Sequence, residues 1–270
     1  MTIINKLFVC LCLLFAGTAL RAQCGADNSA LQAGEELNYQ LKFNWKFIWV
    51  NVGWARMTVD TTTYNGRPCF QTNLQSYTNR KADRFFKMRD TLTCITTRDL
   101  EPLFFRKSAE EGKRYSIDEV SFGYQGGKCI VDQQRTVNGE TKTYHDESPT
   151  CVYDMLSILL QARSYDPTAY RPGTQIRFSM ATGREVEKQT LIYRGKKVYK
   201  AENKVKYRCL VFSLVEYTQK KKEKEVITFY VTDDLNHLPV RLDMFLNFGS
   251  AKAFLTEIKG NRHPLTCIEE

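Results

Sequence analysis

The residues with side chains suited to chemistry are few and scattered. His145, His237 and His263 stand far apart, and none forms the His-x-x-x-His pair that presents two imidazoles to zinc. Asp233–Asp234 and Glu110–Glu111 are neighbours in turn-like stretches, whereas a glycosidase sets its acid and its base across a cleft. There is no Gly-x-Ser-x-Gly elbow and no glycine loop to cradle phosphate. A nucleophile–His–acid triad can draw on distant positions, but nothing local promotes one. These residues lean against catalysis while leaving it open, and they suggest neither a metal nor a cofactor.

Recognition has better material. In Asn44-Trp-Lys-Phe-Ile-Trp49 the aromatic residues Trp45, Phe47 and Trp49 alternate. On a single strand they share one face, with Asn44, Lys46 and Ile48 on the other. Such a row is either a core wall or a surface that grips lipid tails or sugar rings. Arg89 lies in a strand-like run, fit to hold an anionic head group or to close a local salt bridge. Asp154 lies where a helix begins, and there a negative charge complements the helix dipole. The candidate ligand-binding residues are therefore Trp45, Phe47, Trp49, Arg89 and Asp154.

The elements that position them are mostly strands. Leu37, Tyr39, Leu41 and Phe43 alternate with polar residues, as do Ile176, Phe178 and Met180. Turn signals fall between such runs at Asn65-Gly66, Gly126-Gly127, Asn138-Gly139 and Arg194-Gly195. Connections this short join antiparallel neighbours. One segment breaks the rhythm. Ser148-Pro149 reads as an N-cap and a first-turn proline, followed by an apolar stripe of Val152, Met155, Leu156, Leu159 and Leu160. Asp154, Ser157 and Gln161 line another side of that predicted helix, residues 149–163.

A strand–turn–strand pattern flanks it on both sides. Cys69 to Tyr77 and Asp99-Leu-Glu-Pro102 correspond to Cys209 to Tyr217 and Asp234 to Pro239. The expected architecture is mainly all-β: a large antiparallel, strongly curved sheet or open barrel of two similar halves. These halves are residues 35–147 and 174–260 of one β-rich unit, 23–270, with the amphipathic helix packed on the sheet. The Lys220-Lys-Lys-Glu-Lys-Glu225 run reads as a solvated hairpin tip.

Residues 1–22 read as a secretory signal peptide: Lys6, an apolar Leu7–Phe15 core, and a small Ala22 at the cut. That core is shorter than the roughly 20 residues that span a bilayer, and no later stretch is longer, so no transmembrane segment is expected. The expected location is the periplasm or outer envelope of a bacterium. Removing 1–22 takes Lys6 and Arg21 and leaves 37 basic against 30 acidic residues, a net charge of +7. That modest excess suits anionic lipid or glycan surfaces, and the exported setting excludes nucleic acid as a partner. Seven cysteines remain, an odd number. Cys24–Cys267, tying the termini, is the expected bridge, and lipidation of Cys24 is a lesser alternative. The residues do not speak to oligomeric state.

The chain resembles the domain-of-unknown-function 3108 family of exported bacterial proteins. The stretches that carry the likeness are Gly34–Tyr39, Asn44–Gly53, Phe86–Thr91, Tyr153–Ser157 and Asp234–Arg241. The resemblance implies a mostly β fold and an envelope location; it implies no activity. The layout is similar to lipoprotein-carrier half-barrels in architecture alone. The favoured expectation is a non-enzymatic envelope protein. It would bind a lipid, a lipoprotein or a glycan on the concave face of the sheet. One alternative is an assembly factor that meets a protein partner through a sheet edge. Another is a hydrolase of envelope polymers.

Overall fold

The alternation builds one continuous sheet, antiparallel throughout except for the short parallel pairing of residues 152–153 with 179–180. The computed structural model describes residues 24–45, 48–202, 204–217, 222–246 and 249–269, without the side chain of Trp45. The expected signal peptide, 1–22, lies outside the described residues. The first half supplies β1 (Glu35–Trp45), β2 (Ile48–Tyr64), β3 (Arg67–Thr78) and β4 (Met88–Thr97). It continues with β5 (Pro102–Glu111), β6 (Arg114–Gln125), β7 (Lys128–Val137) and β8 (Glu140–Ser148). A short β9 (Val152–Tyr153) and the helix α1 (Met155–Ala162) follow. The second half supplies β10 (Gln175–Ala181), β11 (Val186–Lys200) and β12 (Lys206–Tyr217). Then come β13 (Glu223–Thr232), β14 (Pro239–Leu246), β15 (Gly249–Lys259) and β16 (Ile268–Glu269). The sheet runs from β8 down to β1, crosses to β15, and descends to β9; β16 pairs β12 off this path.

The two halves are similar in detail. Cys69 opposes Thr97 in the first and Cys209 opposes Thr232 in the second. Each threonine closes its turn the same way. The Oγ1 of Thr97 accepts from the Glu101 amide (3.1 Å), and the Oγ1 of Thr232 accepts from the Leu238 amide (2.8 Å). Pro102 and Pro239 then start β5 and β14. At the β2–β3 tip Asn65 and Gly66 both take positive φ (49° and 76°), the backbone a two-residue hairpin demands. Arg194-Gly195, expected as a turn, is instead a bulge inside β11. The register slips between Tyr193 and Gly195, where φ is 101° and only glycine fits without strain.

Paired residues carry the face assignment round the sheet. Leu41 opposes Ala253, which opposes Leu242; the series continues through Phe229 and Phe212 to Tyr193. In the other direction Leu37 leads through Met57 and Leu74 to Leu92. These residues share the inner face. Ala181 and Val186 fall on the outer face by the same reckoning, yet they cluster with the inward-facing Val120, Phe122 and Val131. The sheet is thus rolled like a scroll and nearly closed, with the β9–β11 edge inside the β4–β7 end.

The helix starts later than expected. Ser148 ends β8, and the N-cap is Asp154, whose carboxylate accepts from the Leu156 and Ser157 amides (2.8 and 3.0 Å). The stripe also differs: Met155 is exposed, whereas Ser157 and Gln161 are buried beside Leu156 and Leu160. A helix inside a roll is touched from several sides, so a single apolar face does not describe it. Burying Leu156 and Leu160 is worth roughly 1.5–3 kcal/mol each in transfer energy.

The expected Cys24–Cys267 bridge is replaced by Cys24–Cys151, with Cα atoms 5.4 Å apart. The N-terminal segment crosses the barrel end to reach the helix start. The C-terminal segment lies along β12 instead, where the free thiol of Cys267 is buried beside Cys209. With its sulfur in the disulfide, Cys24 has no thiol left for a lipid thioether.

Candidate functional site

Antiparallel pairing sends alternate connections to opposite ends of the roll. One end is closed. It gathers the turns 98–101 and 233–238, the N-terminal segment, the C-terminal segment and α1. Leu100 and Leu238 are fully buried there. Just past the helix, Arg163 forms a two-pronged pair with Glu35 (2.6 and 2.8 Å), and both side chains are buried. The third donor, Arg163 Nε, gives to the Asn236 carbonyl (3.0 Å), and Asn236 itself donates to the His263 carbonyl (2.8 Å). Four segments distant in sequence are thereby fastened together. Burial pushes the Asp154 carboxyl upward, opposed by its hydrogen bonds to Ser157 and Leu156, and the Cys94 thiol also donates to it (3.6 Å).

The other end is open among the described residues, and the inner wall leading to it is unfinished as a core. Phe178 on β10, Leu191 on β11 and Leu214 on β12 face inward with Ile227 on β13 and Met244 on β14. All five are only half-buried, unlike Leu37 and Leu210 deeper in the same sheet. In a filled barrel such side chains interdigitate and lose contact with water. Here a continuous apolar wall across five strands keeps solvent contact.

The inner face of β4–β7 toward the same end is polar. Asp90, Lys107 and Asp118 share it with Arg135. The Asp90 carboxyl is pushed up to about 6 by desolvation, against the pull of Lys107, and its Oδ1 has no partner among the described residues. Burial likewise raises Asp118, countered by Arg135 at 3.3 Å. An apolar wall beside a polar one suits a molecule with both characters.

The expected aromatic strand is a hairpin tip. Trp45 ends β1 opposite Ile48, and Asn44 opposes Trp49, so positions 45 and 49 sit in alternate rows on opposite faces. Phe47 lies outside the described residues. Trp49 is partly exposed on the outer face, under the ammonium of Lys252 (4.2 Å from the ring centroid). The chain pairs back on itself between Trp45 and Ile48, so the alternation does not continue on one strand. Arg89 clamps the β3–β4 loop: it pairs with both oxygens of Asp83 (3.0 and 2.6 Å) and donates to Thr78 Oγ1 (3.0 Å). This pairing holds the Asp83 carboxyl below its ordinary range. Asp154 is fully buried at the far, closed end.

The histidines do not converge. His145 pairs with Asp132 (2.7 Å), which raises the imidazole, on the outer face in an open depression of about 500 Å3 shared with Glu119 and Thr143. His237 donates to the Arg163 carbonyl (2.6 Å) and His263 to the Ser29 carbonyl (2.7 Å). No group of three metal-ligating side chains exists among the described residues. The inner wall escaped the reading of the sequence because half-buried Phe178 and fully buried Leu37 sit in the same alternating pattern.

A rolled, nearly closed β-sheet with one short helix packed at one end defines the class: a mostly-β, barrel-like protein. The chain belongs to the DUF3108 family, a protein family of unknown function, whose model matches residues 38–256. Its fold is similar to the crystal structure of a β-barrel-like protein of domain of unknown function DUF1849 from Brucella abortus. The TM-score is 0.54 at 10% identity, over 83% of this chain and 96% of that one, a likeness of fold alone. No curated protein matches the chain.

Proposed function

We propose that this protein is a non-catalytic binder of an apolar or amphipathic molecule of the bacterial envelope, a lipid, a lipoprotein's acyl group or a lipid-linked glycan. It acts in the periplasm or at the outer envelope after export. The molecule's apolar part lies along the inner wall of β10–β14, and its polar part meets the Asp90–Lys107 side or the solvent at the mouth. The start of β2, with Trp49, forms part of the lip, Arg89 steadies the neighbouring loop, and Asp154 anchors the plug.

One observation carries the reading: large inward-facing apolar side chains on five neighbouring strands that the fold itself leaves half-covered. Burying that surface under an acyl chain gains about 25 cal/mol per Å2. The sheet-edge alternative has weaker support. The free edge β8 carries Glu140, Lys142, Asp146 and Glu147, the charges with which proteins discourage edge pairing. The hydrolase reading lacks converging groups, since each histidine is held by a different local partner.

The test is displacement of a fluorescent long-chain fatty acid, together with native mass spectrometry of the purified protein. The wild type binds the probe, and Ile227→Asp, which puts a carboxylate into the apolar wall, weakens binding about tenfold, a little over 1 kcal/mol. Leu214→Ala serves as the milder second variant. No probe binding, no co-purified lipid and no response to either substitution would sink the proposal.

A further inference from the structure

The open end differs from the rest of the surface. Among the described residues, fourteen large apolar or aromatic side chains are exposed, and nine of them lie at this end. The β1–β2 hairpin shows Ile48, Trp49 and Val50, and the β3–β4 loop shows Phe85 and Phe86. β14 runs out on Phe245 and Leu246, while Tyr115 and Tyr217 flank the same rim. At the closed end the exposed residues of this kind are single and scattered, as on any soluble surface. Phe85, 80% exposed, stands furthest out.

Positive charge surrounds these tips. The loop 79–87 reads Asn-Arg-Lys-Ala-Asp-Arg-Phe-Phe-Lys, four basic residues to one acid. That acid, Asp83, is already neutralised by Arg89 at 2.6 Å. Arg80, Lys81 and Arg84 are all exposed. The next turn is joined to the loop by the Gly112 amide donating to the Lys87 carbonyl (2.8 Å), and it adds the exposed Lys113 and Arg114.

We propose that this rim docks on a lipid bilayer surface bearing anionic headgroups, with Phe85, Phe86, Trp49 and Phe245 entering the interface and Arg80, Lys81 and Arg84 meeting the phosphates. Aromatic residues favour the headgroup boundary, where part of the environment is apolar and part wet. Each basic residue near an anionic surface contributes further attraction. The charge selects this occupant. A second copy seated on the rim would bring Arg80, Lys81 and Arg84 against their own counterparts, whereas an anionic bilayer complements them. The inference rests on the placement of the rim and does not require that the inner wall hold a ligand.

The experiment is co-sedimentation with vesicles of phosphatidylcholine alone or mixed with phosphatidylglycerol. Every variant is prepared in the same processed form as the wild type, with circular dichroism as the check on folding. The wild type should sediment with the anionic vesicles and stay in solution with the neutral ones. Replacing three basic residues (Arg80→Gln, Lys81→Gln, Arg84→Gln) should weaken partitioning roughly a hundredfold, about a factor of five per residue. Raised salt should weaken the wild type in the same direction. Phe85→Ser with Phe86→Ser should reduce sedimentation at all salt concentrations, and Leu235→Ser at the closed end should leave it unchanged.

No sedimentation with anionic vesicles, equal sedimentation with neutral ones, or an equal loss in Leu235→Ser overturns the proposal. So does a vesicle-free dimer that Phe85→Ser dissolves, because a second copy would then be the occupant. Ile227→Asp separates the two readings, since it should weaken probe binding about tenfold while sedimentation stays at the wild-type level. If the wild type sediments but never binds the probe, docking stands and the inner-wall reading falls. Probe binding without sedimentation has the opposite meaning.

Discussion

The two ends of the roll are made of the same hairpins yet are built on opposite terms. At the closed end, polar side chains are buried and every one of Glu35, Arg163, Asn236 and Asp154 is matched by a partner. At the open end, apolar side chains face water; a buried carboxylate oxygen without a partner among the described residues occurs at both ends, Asp90 Oδ1 at the open one and Asp234 Oδ2 at the closed one. A fold satisfies its buried polar groups where it needs rigidity. Where it leaves apolar surface uncovered, stability has been conceded, and such surfaces mark interaction sites. The comparison locates rigidity at one end and, on the reading proposed above, recognition at the other.

The sharpest way to break that comparison is at Glu35. Glu35→Gln strands the Arg163 guanidinium without its counter-ion in a buried site, and the expected loss is about 3–5 kcal/mol. Urea unfolding measures it. Phe245→Ser at the rim should change the same midpoint by no more than about 0.5 kcal/mol. Equal effects at the two ends would remove the distinction.

Next in size is the disulfide. Cys24→Ala with Cys151→Ala opens a loop with a sequence separation of 127 residues. The expected cost is about 2–4 kcal/mol. Thermal unfolding with and without reductant provides the check: reductant should lower the wild-type Tm and leave that of the variant unmoved.

The smallest effect is expected at Asp90. Its native carboxyl keeps its proton up to about pH 6, whereas the unfolded chain releases it near 3.8. The native state therefore binds the extra proton in that window, and stability falls as pH rises from about 4 to about 6. Asp90→Asn removes this slope. The variant should match the wild type at pH 3.5 and gain Tm above pH 6, by about 2–4 °C for each kcal/mol recovered. A flat difference across the pH range would show that Asp90 is not buried in its charged form, and the polar inner face would then need another description.

Much of the architecture was legible in the residues. Period-two alternation from Leu37 to Phe43 and the Asn-Gly pairs at 65–66 and 138–139 are local signals, and local signals survive folding. The repeat was legible too, because Thr97 and Thr232 close their turns with bonds only a few residues long. The disulfide partner was not, since sequence separation does not say which segments cross a barrel end. The aromatic row failed for a related reason. Alternation cannot tell one strand from two that pair with each other, and the pairing of Trp45 with Ile48 and of Asn44 with Trp49 puts positions 45 and 49 in different rows.

Side-chain type and spacing alone determined a curved antiparallel sheet, two matching halves, one short helix and the absence of a local catalytic motif. Those properties depend on neighbours along the chain. Only tertiary structure decided which apolar faces were covered. Leu41 and Leu214 are alike in sequence context, but Leu41 is buried in a cluster with Leu37, Met57 and Leu238, while Leu214 is only half-buried. Burial is a property of what arrives from elsewhere in three dimensions, so a half-covered wall and a solid core are written with the same residues.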